Sequence, residues 1–445
     1  MTNMTEGSTT KILWKFSIPM FISVIFQQIY NIADTVIAGK YVNSNALAAI
    51  GASYPITMIF MAIATGINIG ASVIISQLFG GKHFEKMKTA IFTSIITTTI
   101  LSFIITIVGL FSCDYMLEIL DTPYELMEGA SLYLSIYILG MFFLFLYNIC
   151  NGIFVALGNS KTPLYLLIVS SILNIILDLV FVIQFNFGVA GVAWATFIAQ
   201  GICSIVSLVI LLKGITNVKC DKYKKFSFAM LAKISYVAIP SIIQQSVISI
   251  GNLFIQNKVN SFGSNVIAGY TAAIKLNTFS ITSLTTLGNA ISSFAAQNLG
   301  AGKIDRVKKC FKSGTIMLWI VSIPFIICFV WFADEMIGIF INSTDENYYQ
   351  IIDEGSKFLL ITSPFYPVIA IKFVSDGILR GAGLMLQFMI STLTDFLLRV
   401  ILAFILSIPF GAEGIWLAWP VGWSIAVVLS YMFYLKGDWK KKFIN

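Results

Sequence analysis

The sequence predicts an all-α polytopic membrane protein. It has twelve transmembrane helices in two six-helix lobes, related by a pseudo-two-fold axis along the membrane normal. Three observations carry this. The chain has 445 residues, 58% hydrophobic and only 11% charged, with a mean hydropathy of +0.88; soluble proteins carry about 25% charged residues. Apolar runs last about 20 residues or more, long enough to cross roughly 30 Å of hydrocarbon. Finally, the second half repeats the first at an offset near 220 residues: QLFGGK (77–82) is answered by QNLGAGK (297–303), and GVAGVAWA (188–195) by GAEGIWLA (411–418). Duplicated hydrophobic proteins place their cargo at the interface of the repeats.

Twelve spans follow, at about 12–38, 46–79, 89–110, 124–156, 162–184, 188–212, 231–257, 265–298, 311–332, 350–379, 384–407 and 412–435. A membrane β-barrel is excluded, because stretches such as IFTSIITTTILSFIITIVGLF lack strict alternation. With the N-terminus inside, 22 of the 28 Lys and Arg fall on the inner side and three outside. This places both termini in the cytoplasm and the protein in the inner (plasma) membrane. The net charge of +7 then points to anionic lipid, with no nucleic-acid partner. Six spans per half make the repeats parallel. The lobes are residues 1–212 and 231–445, and 213–230 is a cytoplasmic linker. No cleavable signal peptide is expected.

Taken in order, the elements carry these features. Span 1 has Pro19, answered by Pro240, and a polar stripe of Gln27, Asn31 and Asp34 at i, i+4 and i+7. Span 2 contains Gly66-x-x-x-Gly70, a close-packing signal. Its aromatic and sulfur side chains, Tyr54, Met58, Phe60 and Met61, suit an apolar substrate cavity. Span 4 adds Tyr133, Met141 and Phe142, and span 8 adds Phe279. Span 5 carries Asn174 and Asp178 one turn apart, and span 6 carries Thr196. Lys275, Lys372, Asp376, Arg380, Asp395 and Arg399 are the charges of the second-half spans.

Charge inside a bilayer costs about 2.5–3.5 kcal/mol on insertion scales, so each such residue is a functional candidate. In the second half, Asp376–Arg380 and Asp395–Arg399 are four apart, which sets each acid beside a base. In the first half the positions equivalent to Asp395 and Arg399 are Asn174 and Asp178, and no span interior holds a base. A proton or a bound cation must therefore neutralise Asp34 and Asp178. Asp34, Tyr133, Asp178 and Thr196 lie at similar depth. Their hard oxygen ligands suit Na+ or a shared proton. The plainer alternative is hydrogen-bond glue between helices.

Other chemistries lack their motifs. No nucleotide-binding P-loop, HExxH or paired-cysteine metal spacing occurs, and no enzyme or cofactor is implied beyond a coupling ion. The six scattered cysteines read as small apolar fillers.

The segments NIADTVIAGKY (31–41), LAAIGASYPI (47–56), SQLFGGK (76–82), LNIILD (173–178), GVAGVAWAT (188–196) and AAQNLGAGK (295–303) resemble the multidrug and toxic compound extrusion (MATE) transporters, bacterial type. The resemblance covers essentially the whole chain. It implies two six-helix lobes and H+- or Na+-coupled antiport, exporting organic, often cationic, amphipathic drugs by alternating access, as a monomer in the bilayer. It also implies a coupling site at Asp34, Asn174, Asp178 and Thr196, with Tyr133, and a helix bend at Pro19. Some members use a span-7 glutamate, where this chain reads SIIQQSVISIGN (241–252) with no acid. The runner-up is a lipid-linked oligosaccharide or lipid flippase of the same superfamily, which a central cavity lined with several unpaired Arg and Lys would favour; only Lys275 and Lys372 are obvious candidates.

Overall fold

The computed structural model describes residues 2–37, 41–42, 44–218, 220, 222–343 and 346–441; the side chains of 34–36, 44–47 and 441 lie outside that description. The described residues hold twelve long helical spans, six in each half. Span 1 is Thr9–Ile37, span 2 Ser44–Gly80, span 3 Phe84–Phe111, span 4 Tyr124–Ala156, span 5 Lys161–Gln184 and span 6 Gly188–Thr216. Span 7 is Phe228–Asn260, span 8 Ser264–Gly300, span 9 Ile304–Trp331, span 10 Tyr348–Gly381, span 11 Met385–Phe410 and span 12 Ala412–Lys436. Short helices follow spans 3 and 9, at Cys113–Ile119 and Ala333–Gly338, which extends the repeat.

Eleven spans are long and apolar enough to cross a membrane by length and composition; span 8 is the exception. Its place explains its polarity. It packs against spans 9 and 10, and Asn277, Ser280, Ser283, Ser292, Ser293, Gln297 and Asn298 are buried. Side chains that face protein can be polar, because neighbouring helices supply hydrogen bonds that lipid cannot.

The repeat reaches down to backbone angles. Gly188 and Gly411, which open spans 6 and 12, both have positive φ (56° and 60°). After spans 2 and 8 the chain turns through Lys82 (φ 57°) and Gly302 (φ 70°), and the next amides close matching bonds: His83 N to Leu78 O (2.9 Å) and Lys303 N to Asn298 O (2.8 Å). Lys82 therefore corresponds to Gly302, and Lys303 to His83. Aligning the two lysines, as the sequence motifs invite, is off by one residue.

The chain divides into two compact units: Met1–Asn3 with Ile18–Ser246, and Met4–Ser17 with Val247–Asn445. The sequence set the lobes at 1–212 and 231–445, whereas these units divide within spans 1 and 7. The reason is local packing. In the first unit the opening half of span 7 lies on the small-residue face of span 2. A Cβ at Gly70 would meet Ala238 N at 2.8 Å, and one at Gly66 would meet Ile242 N at 2.7 Å. The Gly66/Gly70 spacing is thus a close helix contact. In the second unit the start of span 1 is held by span 9, with Thr10 Oγ1 and Ser313 Oγ 2.8 Å apart.

The two interiors differ in character. The first unit is packed by aliphatic side chains and Phe145, Met141 and Phe154. The second contains an aromatic lattice: Tyr270 stacks on Trp416 (5.0 Å), and Phe358 packs edge-on against Tyr270, Trp416 and Trp419. Four of the six cysteines are buried, as fillers should be. Outside the spans, burial pushes the Cys113 thiol pKa up.

Candidate ion-coupling site

Span 5 begins as an α-helix and passes into a π-turn, Val180–Gln184, two residues after Asp178. Such π segments frequently mark functional positions, since the added residue re-aims the neighbouring side chains. Asn174 is 2% exposed and Asp178 fully buried, both on the face that span 6 covers. Asn174 Nδ2 donates to Thr196 Oγ1 at 3.3 Å, which ties spans 5 and 6 together at this level. The first unit thus joins an amide and a hydroxyl one turn from a buried carboxylate. Such oxygens can hold a proton or a small hard cation.

The remaining residues of the set are placed less centrally. Tyr133 is half-buried on span 4, its ring against Tyr137 (6.2 Å). Gln27 and Asn31 are exposed on span 1, and Asn31 Nδ2 donates to Gln28 Oε1 at 3.2 Å. The side chain of Asp34 lies outside the described residues. Pro19 sits inside the continuous span-1 helix, two residues beyond Ser17, where the contact units divide. Of the suggested cavity wall, Met141 and Phe60 are buried in the core of the first unit. Tyr54 is 59% exposed. Met58, Met61 and Phe279 are partly exposed, with Phe279 against Phe325 (5.5 Å).

The second unit corrects one pairing. Sequence spacing sets Asp376 beside Arg380, but its partner is Lys372, four residues before it, at 2.6 Å. Ser430 Oγ also donates to Asp376, and Lys372 Nζ reaches Thr392 Oγ1 at 3.3 Å. Arg380 instead donates to Asn289 Oδ1 (2.6 Å) and Ser292 Oγ (3.3 Å) of span 8, and lies over the Phe388 ring. A buried guanidinium has five donors, and one carboxylate four residues away satisfies fewer of them than a polar neighbouring helix. Asn289, Ser292, Thr392 and Ser430 were missed because their signal, small polar residues scattered in apolar spans, names no partner.

Asp395 and Arg399 do pair, loosely, at 3.8 Å. Arg399 also stacks on Trp419, 4.2 Å from the ring centroid. Lys372 is therefore engaged, while Lys275 is exposed, 5.8 Å from the Phe340 ring. No group of three or more metal-binding side chains occurs among the described residues.

A duplicated helical membrane protein with polar and charged side chains buried in its spans has the design of a transporter. This chain belongs to the MatE family, whose sequence model matches it twice, over residues 19–180 and 240–405. The two matches open on Pro19 and Pro240, the repeat read from the sequence. It is 30% identical to the "Probable multidrug resistance protein YpnP" of Bacillus subtilis (strain 168), covering 98% of this chain and 97% of that one. "Multidrug export protein MepA" of Staphylococcus aureus (strain MSSA476) is 25% identical, covering 94% and 91%. Among solved structures, a MATE protein in complex with MaL6 superposes with a TM-score of 0.92 at 23% identity, covering 99% of each chain. An outward-facing multidrug resistance MATE family transporter also gives 0.92 at 23% identity, covering 99% of this chain and 98% of that one. At this identity the likeness establishes the fold.

Proposed function

We propose that this protein is a multidrug efflux antiporter of the inner membrane. It exports organic, often cationic, amphipathic compounds by alternating access, in exchange for H+ or Na+. The observation that carries the reading is the asymmetry of buried charge. Asp178 is buried beside the Asn174–Thr196 hydrogen bond, in a half whose spans carry lysines only near their ends, at 11, 15, 86, 88, 161 and 213. Asp376 and Asp395 each keep a base of their own. Asp178 has Asn174 and Val182 four residues to either side, so its own helix supplies no cation there and an external ion can load it.

In this cycle Asp34 and Asp178 take up the ion from outside. Span 1 then bends at Pro19, where its helix lacks one backbone donor. The bend narrows the drug cavity and releases cargo outward, and the ion leaves on the cytoplasmic side. Relatives named for multidrug resistance and multidrug export support the substrate class. The flippase reading needs free basic groups in a cavity, and Lys372 is held by Asp376 and Thr392. The protein acts as a monomer with both termini cytoplasmic, and no catalytic step enters the cycle.

The test is efflux of organic-cation dyes from membrane vesicles, driven separately by a Na+ and a pH gradient. The variants are Asp34→Asn and Asp178→Asn. Both should reduce gradient-driven efflux to background. Unchanged efflux in both sinks the coupling site, and lipid scrambling without dye transport replaces the antiporter with a flippase. Cys220, in the linker, should react with a membrane-impermeant maleimide in inside-out vesicles only.

A further inference from the structure

The loop before span 7 is folded onto span 3. Lys224 N donates to Thr89 Oγ1 and Ser227 N to Thr93 Oγ1, each at 3.2 Å. The Tyr223 ring stacks on Phe92 at 5.4 Å, and Lys88 Nζ lies 5.2 Å from its centroid on span 3. This folding borders an open recess of about 650 Å³; among the described residues it is lined by Lys86, Lys222, Lys224 and Lys233, with Glu85 as the acid on its wall. Among the described residues, none of these four lysine side chains makes a hydrogen bond or ion pair.

The repeat shows what such a cluster is built to hold. Glu85, Lys86 and Lys88 at the start of span 3 correspond to Asp305, Arg306 and Lys308 at the start of span 9, 220 residues on. In the second unit these bases are occupied. Arg306 donates to Gly7 O (2.6 Å) and Met4 O (3.0 Å), and Lys308 pairs with Asp305 (2.8 Å); beside them Lys303, the counterpart of His83, donates to Thr5 O (2.9 Å). Oxygen acceptors from residues 4–7 fill that side. In the first unit the equivalent segment arrives with lysines of its own, so positive charge is added where acceptors are needed.

We propose that this recess binds a phosphate-bearing anion, and that the ligand is the headgroup of an anionic phospholipid. Several ammonium groups converging on one space suit the oxygens of a phosphodiester. The surroundings favour a lipid over free phosphate. Phe228, the first residue of span 7, is 77% exposed beside the recess, and Ala229 and Met230 line it. An exposed aromatic ring next to basic groups at the end of an apolar span is the arrangement of a membrane interface. A bound headgroup would bridge linker lysines 222 and 224 to Lys86 and Lys233, fastening the linker to spans 3 and 7.

The test measures binding of phosphatidylglycerol, phosphatidylcholine and inorganic phosphate to the purified full-length protein in detergent, by native mass spectrometry. The site variant is Lys222→Gln/Lys224→Gln. The control is Lys309→Gln/Lys312→Gln, which removes the same charge from exposed positions on span 9. At about 1 kcal/mol per lysine, the site variant should lose phosphatidylglycerol affinity by about thirtyfold, and the control should keep it. Phosphatidylcholine should bind weakly to all three proteins. Equal losses in both variants overturn the site in favour of general surface charge. Inorganic phosphate displacing phosphatidylglycerol at equal concentration overturns the lipid assignment. Retained binding by the site variant overturns the proposal outright. All substituted side chains are exposed, so each variant should fold.

Discussion

Lys372 and Arg380 stand four residues on either side of Asp376, and burial decides which of them it keeps. Arg380 is drawn to the amide and hydroxyl of span 8, leaving Lys372 as the charge that neutralises the acid. Lys372→Met should therefore strand a buried carboxylate and destabilise the protein by about 3–5 kcal/mol, seen as a lower melting temperature in detergent. Lys372→Met/Asp376→Leu should recover most of that loss; a double variant melting as low as the single refutes the pairing. In the first half, Thr196→Val removes the acceptor for Asn174. One hydrogen bond of about 0.5–1.5 kcal/mol predicts a roughly two- to twelvefold higher ion concentration for half-maximal efflux. Thr196→Ser should restore it, and no shift in Thr196→Val would remove Thr196 from the proposed coupling site. The intramembrane acids were legible because charge in an apolar run stands out. Their partners were not, because i, i+4 spacing gives two candidates for Asp376 and says nothing of what the next helix offers.

Helix positions were legible almost throughout, since a run long enough to cross a bilayer leaves little choice of structure. Span 8 is the instructive element. Its interior polarity is explained by its neighbours, and the duplication identified it despite that polarity. The division of spans 1 and 7 between contact units was not legible, because exchanging half a helix leaves every hydrophobic run unchanged. Gly66 and Gly70 announce a groove without naming its occupant, which is span 7. This contact can be tested directly. Gly66→Val places side-chain atoms against the span-7 backbone and should destabilise by about 1–3 kcal/mol through overpacking. Gly51→Ala on the same helix is the control, because nothing lies within 4 Å of its added Cβ. It should be neutral or slightly stabilising, as Ala is the better helix former. Similar melting of the two variants would show that the small-residue face does not hold span 7.

At the scale of the whole molecule, two copies of one design have been given different electrostatics. The copies agree where the backbone must turn, at Gly188 and Gly411 and at Lys82 and Gly302. They disagree where charge enters the spans. Asp395–Arg399 in the second half carries its cation covalently, while Asn174–Asp178 at the equivalent positions does not. A transporter driven by an ion gradient needs a site that empties and fills, and a fixed arginine cannot leave. The coupling proposed for the first half therefore predicts an asymmetric response to equivalent damage. Asp178→Asn should abolish dye efflux under a Na+ or pH gradient while changing melting little, because an amide replaces a carboxylate of the same shape. Asp395→Asn/Arg399→Gln removes both charges of the loose pair. It should keep efflux coupled to the gradient, whatever it does to stability. Measured side by side in vesicles with matched protein content, loss of coupling in the second-half variant, or its survival in Asp178→Asn, would place the working ion in the other half.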